Sequence, residues 1–392
     1  MRRVPYQLTT EGHNHKMEKI TTSPRPITPR LAQKWYEHFN LDLIIKVLHQ
    51  TFLHPFVAWI VVLCLRAQVT PTDHPAWIIA VGYATFLTLL AAASMLNRRL
   101  AYGLPREVEP SHEVIVITGG GSGLGQLIAQ IYGMRGASVA VLDIKEVAEV
   151  DGWHELSGVE YYQCDVGNRK AVEMTAKKIE DDLGRPTVLI NCAAASVHGV
   201  PLLSLTPGSM TKTIQTNLLA PFHLMQTFLP AMLETNIGGV IVNVSSVLGY
   251  LTPAGLSDYS VSKAGLSALH KSLEAELRAS GHDDKIKTLL VETGQLSTPL
   301  FNGIETPSRF FAPILEPIQV AYEIVSAIDN GQSGVIRLPA FAKLVNWYAV
   351  LPASIQRLAR HLSGIDTAVA KAYNRNVFQP ESVPESGSES DI

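Results

Sequence analysis

The chain has 392 residues, enough for one large domain or two average ones, and a formal net charge of only -3 that gives nucleic acid no electrostatic foothold. Hydrophobic residues make up 46% and charged residues 17%, a skew toward the apolar that is concentrated near the N-terminus. The three cysteines, Cys64, Cys164 and Cys192, are scattered without metal-ligand spacing or obvious pairing, as in a reduced compartment, and no metal site is expected.

Residues 1–40 are polar, without periodicity, and read as a loosely held cytosolic tail. His13 and His15 within it are ordinary solvated side chains rather than a metal pair, and the lack of an early apolar core argues against a cleaved signal peptide. Residues 41–100 hold two apolar segments. Ala76 to Leu96 carries no charge over 21 residues, enough to cross a hydrocarbon layer of ~30 Å at ~1.5 Å per residue. Phe52 to Leu65 is shorter and contains His54 and Pro55, so its length fits a spanning or a re-entrant helix. Arg25, Arg30, Lys34 and Lys46 precede the pair, Arg98, Arg99 and Arg106 follow it, and only Arg66 lies between. This asymmetry predicts a hairpin with both ends in the cytosol.

After a polar linker, Tyr102 to Ser111, strands and helices alternate through residues 112–340, the pattern of a doubly wound parallel α/β sheet. The predicted strands are Val114–Ile117, Ser138–Asp143, Val159–Val166, Thr187–Asn191, Gly238–Ser246, Ile286–Glu292 and Gly334–Pro339. The first runs into Thr118-Gly119-Gly120-Gly121-Ser122-Gly123-Leu124-Gly125, and Leu127, Ile128, Ile131 and Met134 follow at helical spacing. Strand, glycine turn and helix bring a pyrophosphate onto a helix N-terminus, where free N–H groups and the helix dipole favour anions. Asp143, 25 residues after Thr118 at the end of the second strand, can accept both ribose hydroxyls of NAD and repels a 2′-phosphate. Ser122 offers no cation to such a phosphate, whereas Lys145 could partly offset Asp143, so NAD is favoured over NADP.

Tyr259 and Lys263, four residues apart, share one helix face thirteen residues beyond Ser246. A phenol with a reference pKa near ~10 is a poor base at neutral pH, and a neighbouring ammonium lowers that value.

With these motifs in order, the chain resembles the short-chain dehydrogenase/reductase (SDR) family, of Rossmann fold, over roughly Glu113 to Pro339. The resemblance rests on the Thr118–Gly125 loop, Asp165–Val166, Asn217 in TNLLAPF, VNVSS ending at Ser246, and Tyr259-x3-Lys263. It implies Tyr259 as general acid/base and Lys263 as the group that tunes it and holds the ribose. Ser246 would orient the substrate oxygen, and Asn217 would hold a relay water. Thr118, Gly119, Ser122, Gly123, Leu124, Gly125, Asp143, Asp165, Val166, Asn191, Ala193 and Thr298 would join Tyr259 and Lys263 around the nicotinamide cofactor. Two departures stand out. Asn191-Cys192-Ala193-Ala194 replaces the family's Asn-Asn-Ala-Gly, and Thr293-Gly294 replaces its Pro-Gly.

The membrane segments and C-terminal extension resemble the membrane-associated retinol dehydrogenase and 17β-hydroxysteroid dehydrogenase branch. Apolar residues after the active-site strands agree with this, among them Val247, Leu248, Leu251, Phe301 and Phe311. The resemblance implies a lipophilic alcohol or ketone as substrate, membrane lipid as a partner, and no nucleic acid; it leaves room for a homodimer. The expected location is the endoplasmic reticulum or lipid droplet, with the catalytic domain facing the cytosol. An NADPH-dependent carbonyl reductase of specialised metabolism, or a catalytically silent nucleotide-binding scaffold, are the alternatives. Residues 341–378 predict an amphipathic extension, broken at Pro352, that lies on a membrane, closes the substrate mouth or packs on the domain. Residues 379–392 are Ser/Glu-rich and read as a disordered acidic tail.

Overall fold

A computed structural model describes residues 39–373 apart from 154–157, 302–303 and 305. The expected N-terminal tail through residue 38, with His13 and His15, and the acidic C-terminal tail lie outside the described residues, as do Arg25, Arg30 and Lys34.

The β-branched runs form seven parallel strands: β1 (Val114–Thr118), β2 (Ser138–Asp143), β3 (Val159–Gln163), β4 (Val188–Asn191), β5 (Gly239–Ser246), β6 (Ile286–Thr293) and β7 (Gly334–Leu338). They lie side by side in the order β3-β2-β1-β4-β5-β6-β7. The central strands are buried on both faces, which is why they read as unbroken apolar runs rather than alternating ones. The expectation of a doubly wound Rossmann-type sheet is met.

Among the described residues three α-helices precede the sheet: α1 (Leu41–Gln50), α2 (Pro55–Ala67) and α3 (Pro75–Tyr102). Crossovers between the strands are α4 (Gly123–Met134), α5 (Arg169–Leu183), α6 (Pro207–Ile214), α7 (Ala220–Glu234), α8 (Leu248–Leu251), α9 (Ser257–Ala279) and α10 (Pro317–Asp329). Ile115 and Ile117 face a core closed by α4 and α10, whereas Val116 faces one closed by α5, α7 and the far half of α9. A π-turn, Gln215–Leu219, joins α6 to α7. Beyond β7 come α11 (Val345–Ala349), α12 (Ala353–Ser363) and α13 (Ile365–Tyr373).

α2 and α3 pack against each other through Ala58, Val62, Ala84 and Leu87, and are otherwise apolar and exposed. α3 is long and apolar enough to cross a membrane by length and composition; α1 and α2 pass the same test only as a pair bent by 49°. The stretch read as a free linker is instead pinned. Arg106 is buried, donates to the Ile237 carbonyl at 2.7 Å, and pairs with Glu113 at 2.7 Å, so it is not available as a flanking interfacial charge. The other end of the helical segment is tied down as well: the Ala340 N–H donates to Asp42 on α1 at 2.6 Å, and the Leu41 N–H to the Phe310 carbonyl at 3.0 Å.

Candidate active site

The C-terminal ends of β1, β2, β4, β5 and β6 open onto a cavity of about 1220 Å³. Its floor is the glycine turn, and the reason for glycine is steric. Gly119 has φ +68, and a Cβ there would lie 2.7 Å from the Ala193 Cα. A Cβ on Gly125 would lie 2.6 Å from the Gly119 carbonyl oxygen. The turn therefore lies tight under the start of α4, leaving the N-terminal end of that helix facing the cavity, a cradle that fits a dinucleotide pyrophosphate.

The expected cofactor residues divide into two groups. Gly119, Ser122, Gly123, Leu124, Gly125, Asp143, Asp165, Val166, Ala193, Thr298, Tyr259 and Lys263 all line the cavity. Thr118 and Asn191 stand behind it. The Thr118 hydroxyl accepts from the N–H groups of Cys192 and Ala193, both at 3.1 Å, and so braces the loop after β4. The Asn191 amide donates to Asn243 at 2.7 Å, and its own side-chain oxygen is buried without a partner. Asp143 serves the loop too: one carboxylate oxygen accepts the Gly121 N–H at 2.9 Å, the other the Lys145 N–H at 3.2 Å.

Tyr259 and Lys263 share a face of α9, and both are buried. The Tyr259 hydroxyl faces Ser246 at the end of β5, whose hydrogen bonding favours the phenolate. Ser246 in turn contacts the Thr293 carbonyl at 3.2 Å and accepts the Leu248 N–H. Ser245 points the other way, donating to the Lys263 carbonyl at 2.9 Å and pairing with Ser267. Lys263 Nζ donates to the Val244 carbonyl at 2.7 Å and stands 5.7 Å from the centre of the Tyr259 ring. Asn217 lies in the π-turn; its side-chain oxygen accepts the Ala195 N–H at 2.8 Å and its amide donates to Ser262 at 3.0 Å. Ser262 donates to the Tyr259 carbonyl, which links Asn217 to the helix that carries the phenol. Extra π-turns are frequent at functional sites.

Burial pushes the Tyr259 phenol far above its ordinary value, hydrogen bonding to Ser246 pulls it partway back, and the nearby Cys192 thiol raises it slightly. The same burial disfavours the charge of Lys263 and brings it down to about 8. Cys192, where the family has a polar residue, is pushed up to about 11 by burial and stays a thiol.

A second cavity of about 620 Å³ adjoins the first, and Gly294 and Phe301 line both. The Phe301 ring meets Tyr259 edge-on, with centroids 5.5 Å apart. Val247, Leu248, Leu251, Phe301 and Phe311 line this second cavity as expected. Its far wall is built by α11–α13. Arg360 on α12 donates to the Leu251 carbonyl at 2.6 Å and the Thr252 carbonyl at 3.1 Å, and pairs with Asp366 on α13. Thr252, at φ +41, sits in left-handed backbone at that junction. Lys212, Gln215 and His223, which line the first cavity, were missed, for they carry no motif.

The short chain dehydrogenase family model matches residues 113–308. An uncharacterized oxidoreductase of Saccharomyces cerevisiae is 34% identical over 257 residues, covering 64% of this chain and 82% of that protein. Retinol dehydrogenase 10 of Homo sapiens is 34% identical over 275 residues, covering 62% and 78%. Among solved structures, a short-chain dehydrogenase from Streptomyces avermitilis superposes with a TM-score of 0.52 at 25% identity, covering 64% of this chain and 95% of its own.

Proposed function

The chain belongs to the short-chain dehydrogenase family and is an NAD(P)-dependent oxidoreductase, and from that premise we propose that it interconverts a lipophilic alcohol and its ketone or aldehyde at a membrane. The observation that carries this reading is the position of Tyr259. It is a buried phenol on the wall of the first cavity, and its ring meets Phe301, which lines both that cavity and the apolar one beside it. The relatives named retinol dehydrogenase support the same substrate class.

In this reading the nicotinamide, when bound along the glycine turn, accepts or supplies the hydride. Tyr259 takes the hydroxyl proton in oxidation or gives it in reduction, and Ser246, which faces the phenol, holds the substrate oxygen beside it. Lys263, fixed by the Val244 carbonyl, holds the cofactor ribose and stabilises the phenolate as it forms. Asn217 holds the turn of α9 through Ser262 and positions the relay water. Asp143 faces the adenosine ribose and selects NAD. The α2–α3 pair anchors the protein as a hairpin, the Rossmann domain of residues 112–340 stands on the cytosolic side, and the membrane is that of the endoplasmic reticulum or lipid droplet.

Purified full-length protein, assayed with NAD and NADP against retinol, steroids and long-chain alcohols, tests the proposal. Turnover of at least one of these with NAD is expected. Turnover confined to small polar alcohols would refute the lipophilic assignment, and cofactor binding without any turnover would make the chain a scaffold.

A further inference from the structure

The C-terminal extension does two things at once. Toward the protein it walls the apolar cavity, with Val345 and Tyr348 of α11 and Ala359 and Arg360 of α12 facing inward. Toward solvent it exposes Trp347, Val350, Ile355 and Leu358, and Trp347 is 71% exposed. None of these four lines the cavity. Leu344, Leu362 and Phe311 belong to both sides: they line the cavity and are exposed, Leu362 at 76%. The cavity rim is therefore continuous with the exposed apolar face. A patch of this kind on a monomer surface marks an interaction site.

The charge pattern says what covers it. From Leu338 to Ile365 the sequence has no acidic residue, while Lys343, Arg357 and His361 stand exposed on the same segment. Apolar side chains flanked only by cations match an anionic lipid surface: the chains enter the acyl boundary and the cations meet the phosphates. The first helix at the other end of the chain reaches the same region. α1, which leads into α2, is held to Ala340 through Asp42 and to Phe310 through its first N–H.

We propose that the outer face of α11 and α12 lies on an anionic phospholipid bilayer, with the rim of the apolar cavity at the lipid boundary. This rests on the membrane reading above but is separable from it, since the hairpin could anchor a domain whose mouth points away from the lipid. Arg360 is central to the arrangement. By tying α12 to Leu251 and Thr252 it turns its own cation inward, and so leaves the outward stripe of Ile355, Leu358 and Leu362 apolar.

The test uses full-length protein reconstituted in vesicles of phosphatidylcholine and phosphatidylserine whose acyl chains carry bromine, which quenches tryptophan on contact. The Trp347 signal is the difference between the parent and Trp347→Phe, a substitution mild enough to keep the fold. Bromine near the headgroup end of the chain is expected to remove most of the Trp347 emission, and bromine near the chain terminus much less. Arg357→Glu with Lys343→Glu should weaken the quenching, as should replacing phosphatidylserine with phosphatidylcholine. If Trp347 stays bright while Trp59 and Trp77 on the hairpin are quenched, the anchor stands and the docking face is refuted. If all three stay bright, the membrane reading falls with it. A Trp347 shielded from aqueous acrylamide yet blind to brominated lipid would mean that protein, such as a second copy of the chain, covers the face, which also overturns the proposal.

Discussion

Arg337 on β7 reaches across to Glu292 on β6, its Nε 2.8 Å from a carboxylate oxygen that is almost wholly buried. The other oxygen accepts the Tyr250 hydroxyl at 2.6 Å and lies 3.4 Å from Ser267. Glu292 is in register with Ser245 on β5, the immediate neighbour of Ser246. A carboxylate thus sits behind the strand end that presents Ser246, and burial together with that carboxylate pushes the Tyr250 phenol up to about 12. Arg337→Met removes the cation and leaves the charge buried, which should cost about 3 kcal/mol. Adding Glu292→Gln should restore part of that loss, a coupling that thermal unfolding of the single and double variants would reveal. Additive losses would show that the pair is not coupled.

Tyr259→Phe should lower turnover by about 10²–10⁴-fold while leaving cofactor affinity unchanged, because it removes the transferable proton and little else. Ser246→Ala removes the hydrogen bond that pulls the phenol down. The pH at which oxidation reaches half its plateau should therefore move upward in that variant. The check is a pH–rate profile for parent and Ser246→Ala; an unmoved profile would leave Ser246 with orientation alone.

Lys263 supplies a stability prediction with a definite sign. Its value in the fold, about 8, lies below its ordinary 10.5, so the unfolded chain holds this proton more tightly than the folded one. Burying the charge costs stability in full below pH 8, and that cost fades as pH rises toward 10.5. Lys263→Met should be inactive yet more stable than the parent at pH 7, by about 1–3 kcal/mol. The gap should close through the same pH window in parallel thermal melts. A variant less stable than the parent at every pH would contradict this.

Asp143→Ala should cost the protein twice. It frees the Gly121 and Lys145 N–H groups, loosening the glycine turn. It also removes the carboxylate that repels a 2′-phosphate, which should shift the ratio of kcat/KM for NAD over NADP by roughly tenfold or more. Combined with Ser122→Arg the preference should invert. A parent that already favours NADP would move the reading toward a reductase, with Lys145 the first residue to suspect.

The sheet was legible in the sequence because buried parallel strands are unbroken β-branched runs, and β2 was bounded without error from Ser138 to Asp143. The glycine turn and the Tyr259–Lys263 spacing were legible because each is a local pattern with a local cause. What escaped was long-range. Nothing near Arg360 shows that it will meet Leu251 and Thr252, more than a hundred positions earlier. Nothing near Asp42 points to Ala340. α1 escaped although Leu41, Ile44, Ile45 and Leu48 recur at helical spacing, because its partners lie at the far end of the chain. The setting of Tyr259 was legible only in part: proximity of an ammonium is visible in sequence, but the burial that is the largest influence on both groups is not.

The last turn of α3 is held from the other side. Lys287, buried at the foot of β6, donates to the Tyr102 carbonyl at 3.3 Å, Arg278 to the Ala101 carbonyl at 3.5 Å, and Arg98 to Gln332 at 3.0 Å. With Arg106 locked to Glu113 only a few residues on, the apolar helix and the catalytic domain are joined without a swivel. A protein on a flexible leash samples every heading, whereas one on a stiff strut keeps a single bearing relative to whatever its strut stands in. Here the heading is written into the fold: inserting a run of glycines after Gly103 would leave every catalytic atom in place, yet convert a fixed compass needle into one that spins.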